Sequence, residues 1–135
     1  MMIETLICTP TTHENCATCF APLNTKAKFE MVKEFHKAFN IDGRGQSLKD
    51  LIVLRGSLIF EEFEEVNDEL DECYEELLDK CYGRLDEGKV KISVEKKTKL
   101  LKELSDLLYV VYGTAVSLGL DIDAAFKAVH RSNMS

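Results

Sequence analysis

The chain has 135 residues, 45% of them hydrophobic and 30% charged, which suits one domain with a core of its own. Seventeen basic and 24 acidic residues give a formal net charge of -7. This balance argues against a nucleic-acid polymer as partner, because its phosphates are bound by clustered lysines and arginines. It remains compatible with a single nucleotide held through metal ions. No apolar run is long enough to span a bilayer, so we expect no membrane partner.

The first 24 residues show no clear period and contain both prolines, Pro10 and Pro22, so we predict an N-terminal arm over 1–24. The start of the chain carries an acid and lacks the basic region of a secretory signal. An odd number of cysteines, five, also fits reduced thiols better than a disulfide framework. We therefore predict a cytoplasmic protein.

The arm contains a weak metal-binding pattern, "HENCATC", with a further cysteine upstream. Its potential ligands are Cys8, His13, Cys16 and Cys19. The spacing resembles half of a zinc site, but no second ligand pair follows it. An arm with incidental cysteines is the favoured interpretation, and zinc is the alternative.

Helical periodicity begins near residue 25, where apolar and aromatic side chains recur at three- and four-residue intervals. They are Phe29, Val32, Phe35, His36 and Phe39. The stretch "NIDGRGQ" then interrupts the chain. Ser47, followed by Asp50, is typical of a helix start, and we predict a long second helix from about 48 to 82. Gly56 within it either costs stability or permits a close helix contact.

Two further helices follow the break "GRLDEGKVKI". The third begins after Ser93 and ends before Gly119, a residue suited to a helix C-terminus. The fourth begins after Asp121 and runs to about residue 131. We find no strand-like alternation of useful length. The sequence therefore predicts an all-α fold, a four-helix arrangement in a single domain over 25–135.

One side of the second helix changes from apolar to acidic along its length. The acids on this side are Glu61, Glu62 and Glu65, one turn after Leu51, Leu54 and Leu58. A purely solvated face would be polar throughout. The competing interpretation is an ordinary surface, because glutamate-rich helix faces are common.

The third helix carries two acids before an apolar segment. Residues 107–120 include no charge and are apolar nearly all round, so we expect most of them to be buried. Glu103 and Asp106 precede this segment at i, i+3 spacing. Carboxylates on a buried face are costly unless they are paired or bound to a cation. Salt bridges to nearby lysines, such as Lys102, are the alternative.

Placed side by side, the two helices bring about five carboxylates to one pocket. Carboxylates this close repel and raise one another's pKa, and a hard divalent cation removes the problem. All-oxygen ligands select Mg²⁺, Mn²⁺ or Ca²⁺ over zinc. Mg²⁺ held in this way usually meets a phosphate. The chemistry indicated is metal-assisted hydrolysis of a phosphoanhydride, in which a carboxylate takes the proton of the attacking water.

The EExxE and ExxD motifs, in this order on helices, resemble those of the all-α nucleoside triphosphate pyrophosphohydrolase superfamily. This superfamily includes MazG, dimeric dUTPases, dCTPases and phosphoribosyl-ATP pyrophosphatase. The strings "VKEFHKAF", "DLLYVVYGTA" and "VHRSNMS" are similar to those of MazG-like, dUTPase-related phosphohydrolases. The similar stretches cover roughly two thirds of the chain.

The resemblance implies a MazG-like fold assembled as a dimer or a dimer of dimers. It implies hydrolysis between the α- and β-phosphates of a nucleoside triphosphate with Mg²⁺, or with Mn²⁺ in its place. The metal ligands implied are Glu62, Glu65, Glu103 and Asp106. Glu61 is expected to orient or deprotonate the attacking water, or to hold a further metal.

The same resemblance suggests five substrate contacts, each with a simpler alternative. Tyr109 lies one turn beyond Asp106, where a core aromatic is equally expected. His130, Arg131 and Asn133 close the last helix. Arg131 suits phosphate oxygens or, alternatively, the negative end of the helix dipole. Asn133 suits a base or sugar edge. His36 is a ligand contact or a core or interface histidine.

Two departures from the family pattern affect these expectations. The stretch between Glu65 and Glu103 is longer than usual, and we expect a lengthened helix pair over 66–102. Relatives also commonly continue past "HRSNMS" with a basic segment, whereas this sequence stops, which leaves the phosphate contacts of such a segment open.

The leading functional hypothesis is a Mg²⁺-dependent nucleotide pyrophosphatase acting on a pyrimidine or non-standard deoxynucleotide in nucleotide pool cleaning. Phosphoribosyl-ATP hydrolysis is the alternative within enzymes. A non-catalytic helical dimerisation or nucleotide-sensing module is the alternative outside them.

Overall fold

The fold is all-α, as the sequence predicts. A computed structural model describes residues 27–82 and 90–135. These residues form four helices and, within that part of the chain, no strand. The helices are α1 (Lys28–Ala38), α2 (Leu48–Cys81), α3 (Val94–Leu118) and α4 (Ile122–Asn133).

The chain divides into two compact units. The described part of the first unit lies within Thr25–Glu61 and Leu107–Ser135, and that of the second unit lies within Glu62–Asp106. Helices α2 and α3 each contribute residues to both units. The single domain predicted over 25–135 and the arm over 1–24 stay predictions, and the arm with its zinc candidates lies outside the described residues.

Helices α2, α3 and α4 begin after polar capping residues, at the positions that the sequence predicts. The Ser47 hydroxyl accepts a hydrogen bond from the Asp50 amide at 3.1 Å. At the start of α4, the Asp121 carboxylate accepts one from the Ala124 amide at 3.0 Å. Ser93 plays the same part before α3. Each side chain satisfies one of the amides that the first helical turn leaves unpaired.

Two helices end in the same left-handed turn. After α3, Gly119 has a φ of 66°, and the Leu120 amide donates to the Ala115 carbonyl at 2.8 Å. After α1, Asn40 takes this position with a φ of 49°, and the Ile41 amide closes the turn. Both follow the Schellman pattern, in which asparagine is the main substitute for glycine. Gly119 is the helix end that the sequence predicts, whereas Asn40 was not predicted.

The core of the first unit is small and partly polar. Its buried residues include Val32 and Ala115, together with the polar side chains His36 and Arg55. The expectation that most of residues 107–120 would be buried is wrong for the single chain. Only two residues of α3 are fully buried. The reason is that few side chains in the described part of the chain pack against this helix.

The second unit has Val66 and Cys73 as buried residues and, in addition, polar contacts between α2 and the start of α3. The Glu76 carboxylate accepts hydrogen bonds from the Ser93 amide at 3.2 Å and from its hydroxyl at 3.0 Å. Lys80 bonds Glu76 and donates to the Lys91 carbonyl at 3.1 Å. Lys96 pairs with Glu72. These contacts join the two helices across the segment 83–89, which lies outside the described residues.

Within the described residues, no single helix is long and apolar enough to cross a membrane. By length and composition alone, only the bent pair formed by α3 and α4 meets the requirement.

Gly56 faces open space, because a Cβ built on it meets no other atom within 4 Å. The structure therefore favours the interpretation that this glycine only weakens α2. We predict that Gly56→Ala raises the free energy of unfolding by about 0.5–1 kcal/mol, since alanine is the better helix former. Urea unfolding measures the change. A loss of stability would show that another chain packs against this position.

Candidate functional site

Three of the predicted acids lie together in the second unit. Glu62 and Glu65 lie on α2 at i, i+3 spacing, and Glu103 lies on α3. One carboxylate oxygen from each lies within 4.8 Å of the other two. Glu103 is largely buried, with 13% of its side chain exposed, whereas Glu65 is exposed. The cluster therefore has one oxygen-rich side open to ligands.

The charges of this cluster are not independent. The pKa of Glu65 is raised, chiefly by a side-chain hydrogen bond with Glu103 and also by burial and the neighbouring negative charges. Lys102 acts in the opposite direction. In the metal-free chain, the proximity of Glu103 and Glu62 therefore disfavours ionisation of Glu65.

Asp106, the fourth predicted ligand, is placed differently. Its carboxylate accepts a hydrogen bond from the Lys102 ammonium at 2.9 Å, and it is not one of the three clustered acids. The same ammonium lies 3.0 Å from Glu103. The hydrogen bonds that Lys102 donates to Asp106 and Glu103 raise the pKa of Lys102. The salt bridge that the sequence analysis left open as an alternative is therefore present.

Glu61, the first acid of the EExxE motif, does not join the three-carboxylate cluster. Its side chain is exposed and belongs to the first unit. Its proposed role toward the attacking water stays a prediction.

The donor set of the cluster suits a hard divalent cation. All three ligand atoms are carboxylate oxygens, which Mg²⁺, Mn²⁺ and Ca²⁺ prefer. A doubly charged ion also counteracts the repulsion among these carboxylates. The next turn of α2 adds Glu69, whose Oε2 is buried without a hydrogen-bond partner in the described residues. The residues present therefore fit a divalent metal ion, but they do not distinguish between Mg²⁺, Mn²⁺ and Ca²⁺.

A second polar centre lies in the first unit, around His36. This imidazole is 5% exposed, and its Nδ1 lies 2.7 Å from Asp42 Oδ2. The other Asp42 oxygen accepts from the Ser117 hydroxyl at 2.5 Å. Because a carboxylate only accepts hydrogen bonds, Nδ1 carries the proton. Asp42 thus ties α1 to α3.

Arg55 is the functional candidate that the sequence analysis missed. Arg55 is buried, with 6% of its surface exposed. Its Nε donates to Thr114 Oγ1 at 3.2 Å, and its Nη2 donates to the Val110 carbonyl at 3.3 Å. Burial lowers the pKa of Arg55, and the charge of Asp42 opposes this change. The sequence does contain a signal for this role. Arg55 is a lone arginine among the apolar residues of α2, and an unpaired charge in such a place is costly.

Gly113 makes room for this polar centre. A Cβ added there would collide with Arg55 Nη2 and lie 3.0 Å from His36 Nε2. Both side chains are buried and hydrogen bonded, so they cannot move aside without loss of these contacts. The glycine in "VVYGTA" is therefore explained by close packing.

Tyr109 lines a cavity in the first unit together with both polar and apolar side chains. Its ring meets Phe35 edge to face, with centroids 5.6 Å apart. The cavity has a volume of about 220 Å³. It is lined by Phe35, His36, Ile41, Arg44, Gln46, Leu54, Arg55, Leu58, Tyr109 and Val110. Two predicted substrate contacts, His36 and Tyr109, thus share one cavity.

The three predicted contacts on α4 lie elsewhere in the first unit. His130, Arg131 and Asn133 are all exposed. His130 and Arg131 line a separate surface depression with Phe126 and Lys127. Basic residues in this last turn also complement the helix dipole. Their roles toward a substrate stay predictions.

A family model described as phosphoribosyl-ATP pyrophosphohydrolase matches residues 24–133 of the chain. The match spans all four helices and both groups of polar residues described above. No curated protein matches this sequence.

We predict that Asp42→Asn lowers the free energy of unfolding at pH 7 by about 1–2 kcal/mol, because charge-assisted hydrogen bonds to buried partners are weakened. Burial alone would raise the pKa of Asp42, but hydrogen bonds from Ser117 and His36 and the charge of Arg55 lower it below the ordinary 3.8.

A lowered carboxyl pKa contributes stability that is fully present above the ordinary value and is lost as the pH falls through the lowered value. The stability difference between wild type and Asp42→Asn should therefore shrink between pH 5 and pH 2. Urea unfolding across this range measures it. A difference independent of pH would mean that the ionised carboxylate is not what stabilises the fold.

Proposed function

Since the chain belongs to the phosphoribosyl-ATP pyrophosphohydrolase family, within the all-α nucleoside triphosphate pyrophosphohydrolase superfamily, we propose that it cleaves a nucleoside triphosphate between the α- and β-phosphates. The products are a nucleoside monophosphate and pyrophosphate. The observation that carries this proposal is the cluster of Glu62, Glu65 and Glu103, with one oxygen of each within 4.8 Å of the others.

The proposed chemistry divides between a cation and the side chains. Members of this family are generally metal-dependent. A divalent cation held by Glu62, Glu65 and Glu103 would screen the negative charge that builds up on phosphate oxygens. We take Mg²⁺ as this cation, with Mn²⁺ as a substitute. Asp106 positions Lys102 beside Glu103, where the ammonium can attract a phosphate.

The reaction itself exchanges one P–O bond for another. The oxygen of a water molecule forms a bond to the α-phosphorus, and the bridging bond to the β-phosphate breaks. The electron pair of that bond leaves with pyrophosphate. A carboxylate accepts the proton of the water, and Glu61, directly before Glu62 in the sequence, is our candidate.

For the substrate, we propose a pyrimidine deoxynucleotide or a non-standard nucleotide, and therefore a role in nucleotide pool cleaning. Phosphoribosyl-ATP is a second candidate, and the description of the matching family favours it directly. A non-catalytic dimerisation or sensing module is disfavoured, because such a module has no need to hold repelling carboxylates together.

We also propose that the protein works as a homodimer or a dimer of dimers. Many large apolar side chains of α2, α3 and α4 are exposed in the single chain. Those of the first unit include Ile52, Val53, Phe60, Leu108 and Phe126, and those of the second include Phe63, Leu70 and Leu104. Exposed apolar surface on this scale is typical of an interaction interface. A cytoplasmic location stays a prediction from cysteine usage.

A panel of nucleotides incubated with Mg²⁺ tests the proposed reaction through pyrophosphate release. The panel should contain the common deoxynucleoside triphosphates, dUTP and phosphoribosyl-ATP. We expect a pyrimidine deoxynucleotide to have the highest kcat/KM. Preference for phosphoribosyl-ATP would establish the second candidate, and no turnover combined with no binding of Mg²⁺ or Mn²⁺ would overturn the enzyme hypothesis.

We predict that Glu65→Gln lowers kcat on the order of 100-fold, because a metal ligand is lost. The stability of the metal-free protein should not fall. A raised carboxyl pKa means that ionisation of Glu65 disfavours the folded state at neutral pH, and glutamine removes this cost. The matched control is Glu64→Gln, which changes the adjacent exposed acid and should leave both quantities unchanged. A marked loss of metal-free stability in Glu65→Gln would identify a structural role instead.

A further inference from the structure

Lys102 contacts both the cluster of three acids and the neighbouring Asp106. Its ammonium lies 3.0 and 3.3 Å from the two oxygens of Glu103 and 2.9 Å from Asp106 Oδ2. These contacts use the three N–H donors that an ammonium has. Glu103 is also one of the acids whose oxygens lie within 4.8 Å of one another. The same carboxylate therefore belongs both to the candidate metal ligands and to this ion pair.

The two partners of this ion pair differ in how freely they can move. Glu103 has 13% of its side chain exposed, whereas Lys102 has 54% exposed. A carboxylate with so little contact with water needs a positive partner, because its ionised form is costly to bury alone. The lysine ammonium lies at the end of a flexible chain of carbons and is strongly hydrated, so water can replace its protein contacts. Lys102 is therefore the partner that can leave.

A second lysine of α3 provides the comparison. Lys99 lies one turn before Lys102, is 49% exposed and lies 3.5 Å from Glu95. Glu95 is not one of the three clustered acids. The two lysines thus carry the same charge at similar exposure on one helix, but the acid that Lys99 contacts lies outside the cluster.

From these contacts we infer that Lys102 is the internal counterion of Glu103 in the metal-free protein and that it leaves this carboxylate when a divalent cation binds. The inference rests on the proposed function for the identity of the cluster as a cation site. Lys102 is thus a positioning residue, because it neutralises Glu103 in the metal-free protein and competes with the cation for the same oxygens. The ion pair also accounts for the place of Asp106, whose carboxylate bonds Lys102 instead of joining the three clustered acids.

Calorimetric titration of the full chain with Mn²⁺ measures this competition. Lys102→Met removes the competing ammonium and should tighten Mn²⁺ binding about tenfold, the scale of one hydrogen bond to a charged group. Lys102→Arg keeps a positive charge with N–H donors and should restore most of the wild-type value. The matched control is Lys99→Met, which should change the affinity less than about twofold at physiological ionic strength, because salt screens exposed charges that make no contact with the site.

Two results of this titration would overturn the inference. Equal affinities in wild type and Lys102→Met would show that the ammonium does not compete. Equal tightening in Lys99→Met and Lys102→Met would show an effect of net charge alone. Circular dichroism checks that each variant is folded.

NMR of the lysine side-chain ammonium groups follows the displacement in the wild-type chain, without turnover. The Lys102 signal, identified by its absence in Lys102→Arg, should move as Mg²⁺ is added, because its carboxylate partner is lost. The signal of Lys80, which donates to the Lys91 carbonyl at 3.1 Å, should stay in place. This measurement keeps the inference testable if Lys102→Met does not fold.

The outcomes separate this inference from the proposed function. A Lys102 signal that stays unchanged while Mg²⁺ binds overturns the inference alone and leaves the metal site intact. No binding of Mg²⁺ or Mn²⁺ by the wild type or any variant overturns the metal site of the proposed function and this inference together. Movement of the Lys102 signal, with tighter Mn²⁺ binding in Lys102→Met, supports the inference whether or not any nucleotide is hydrolysed.

Discussion

Electrostatic repulsion among three carboxylates is the constraint that the candidate catalytic site has to satisfy. Glu62, Glu65 and Glu103 place oxygens within 4.8 Å of one another, a distance at which full ionisation is unfavourable. In the metal-free chain the pKa of Glu65 is raised, chiefly by its hydrogen bond with Glu103, and the Lys102 ammonium lies against Glu103. A divalent cation relieves it better, because it brings two charges to one point. A metal can therefore replace the weaker positive partner that the cluster has in the metal-free chain.

The first unit contains the opposite case, a buried positive charge that needs partners. The guanidinium of Arg55 is nearly inaccessible to solvent and is stabilised by a hydroxyl, a backbone carbonyl and the nearby charge of Asp42. Gly113 leaves the space that this arrangement needs. The outcome is a buried, hydrogen-bonded guanidinium that lies in the wall of a cavity with aromatic and aliphatic side chains.

The apolar surface of the helices is the observation behind the proposed assembly. Residues 107–120 have the composition of a core helix, yet only Gly113 and Ala115 are fully buried in the single chain. An apolar composition favours burial, without stating which chain provides the contacts. The exposed apolar side chains of this helix, Leu108 and Tyr109 among them, therefore support the proposed dimer or dimer of dimers.

The sequence by itself determined the helical fold and most helix bounds, because capping residues and periodicity act within a few positions of the chain. Ser47 and Gly119 are examples. The acids of the cluster were also predictable, since their spacing on two helices decides which faces they share. Only the tertiary structure decided that Asp106 pairs with Lys102, because lysine side chains are long enough to reach several acids. It alone revealed Arg55, whose partners lie 55 and 59 positions away. Contacts at such separations depend on how the helices pack, and no local pattern encodes them.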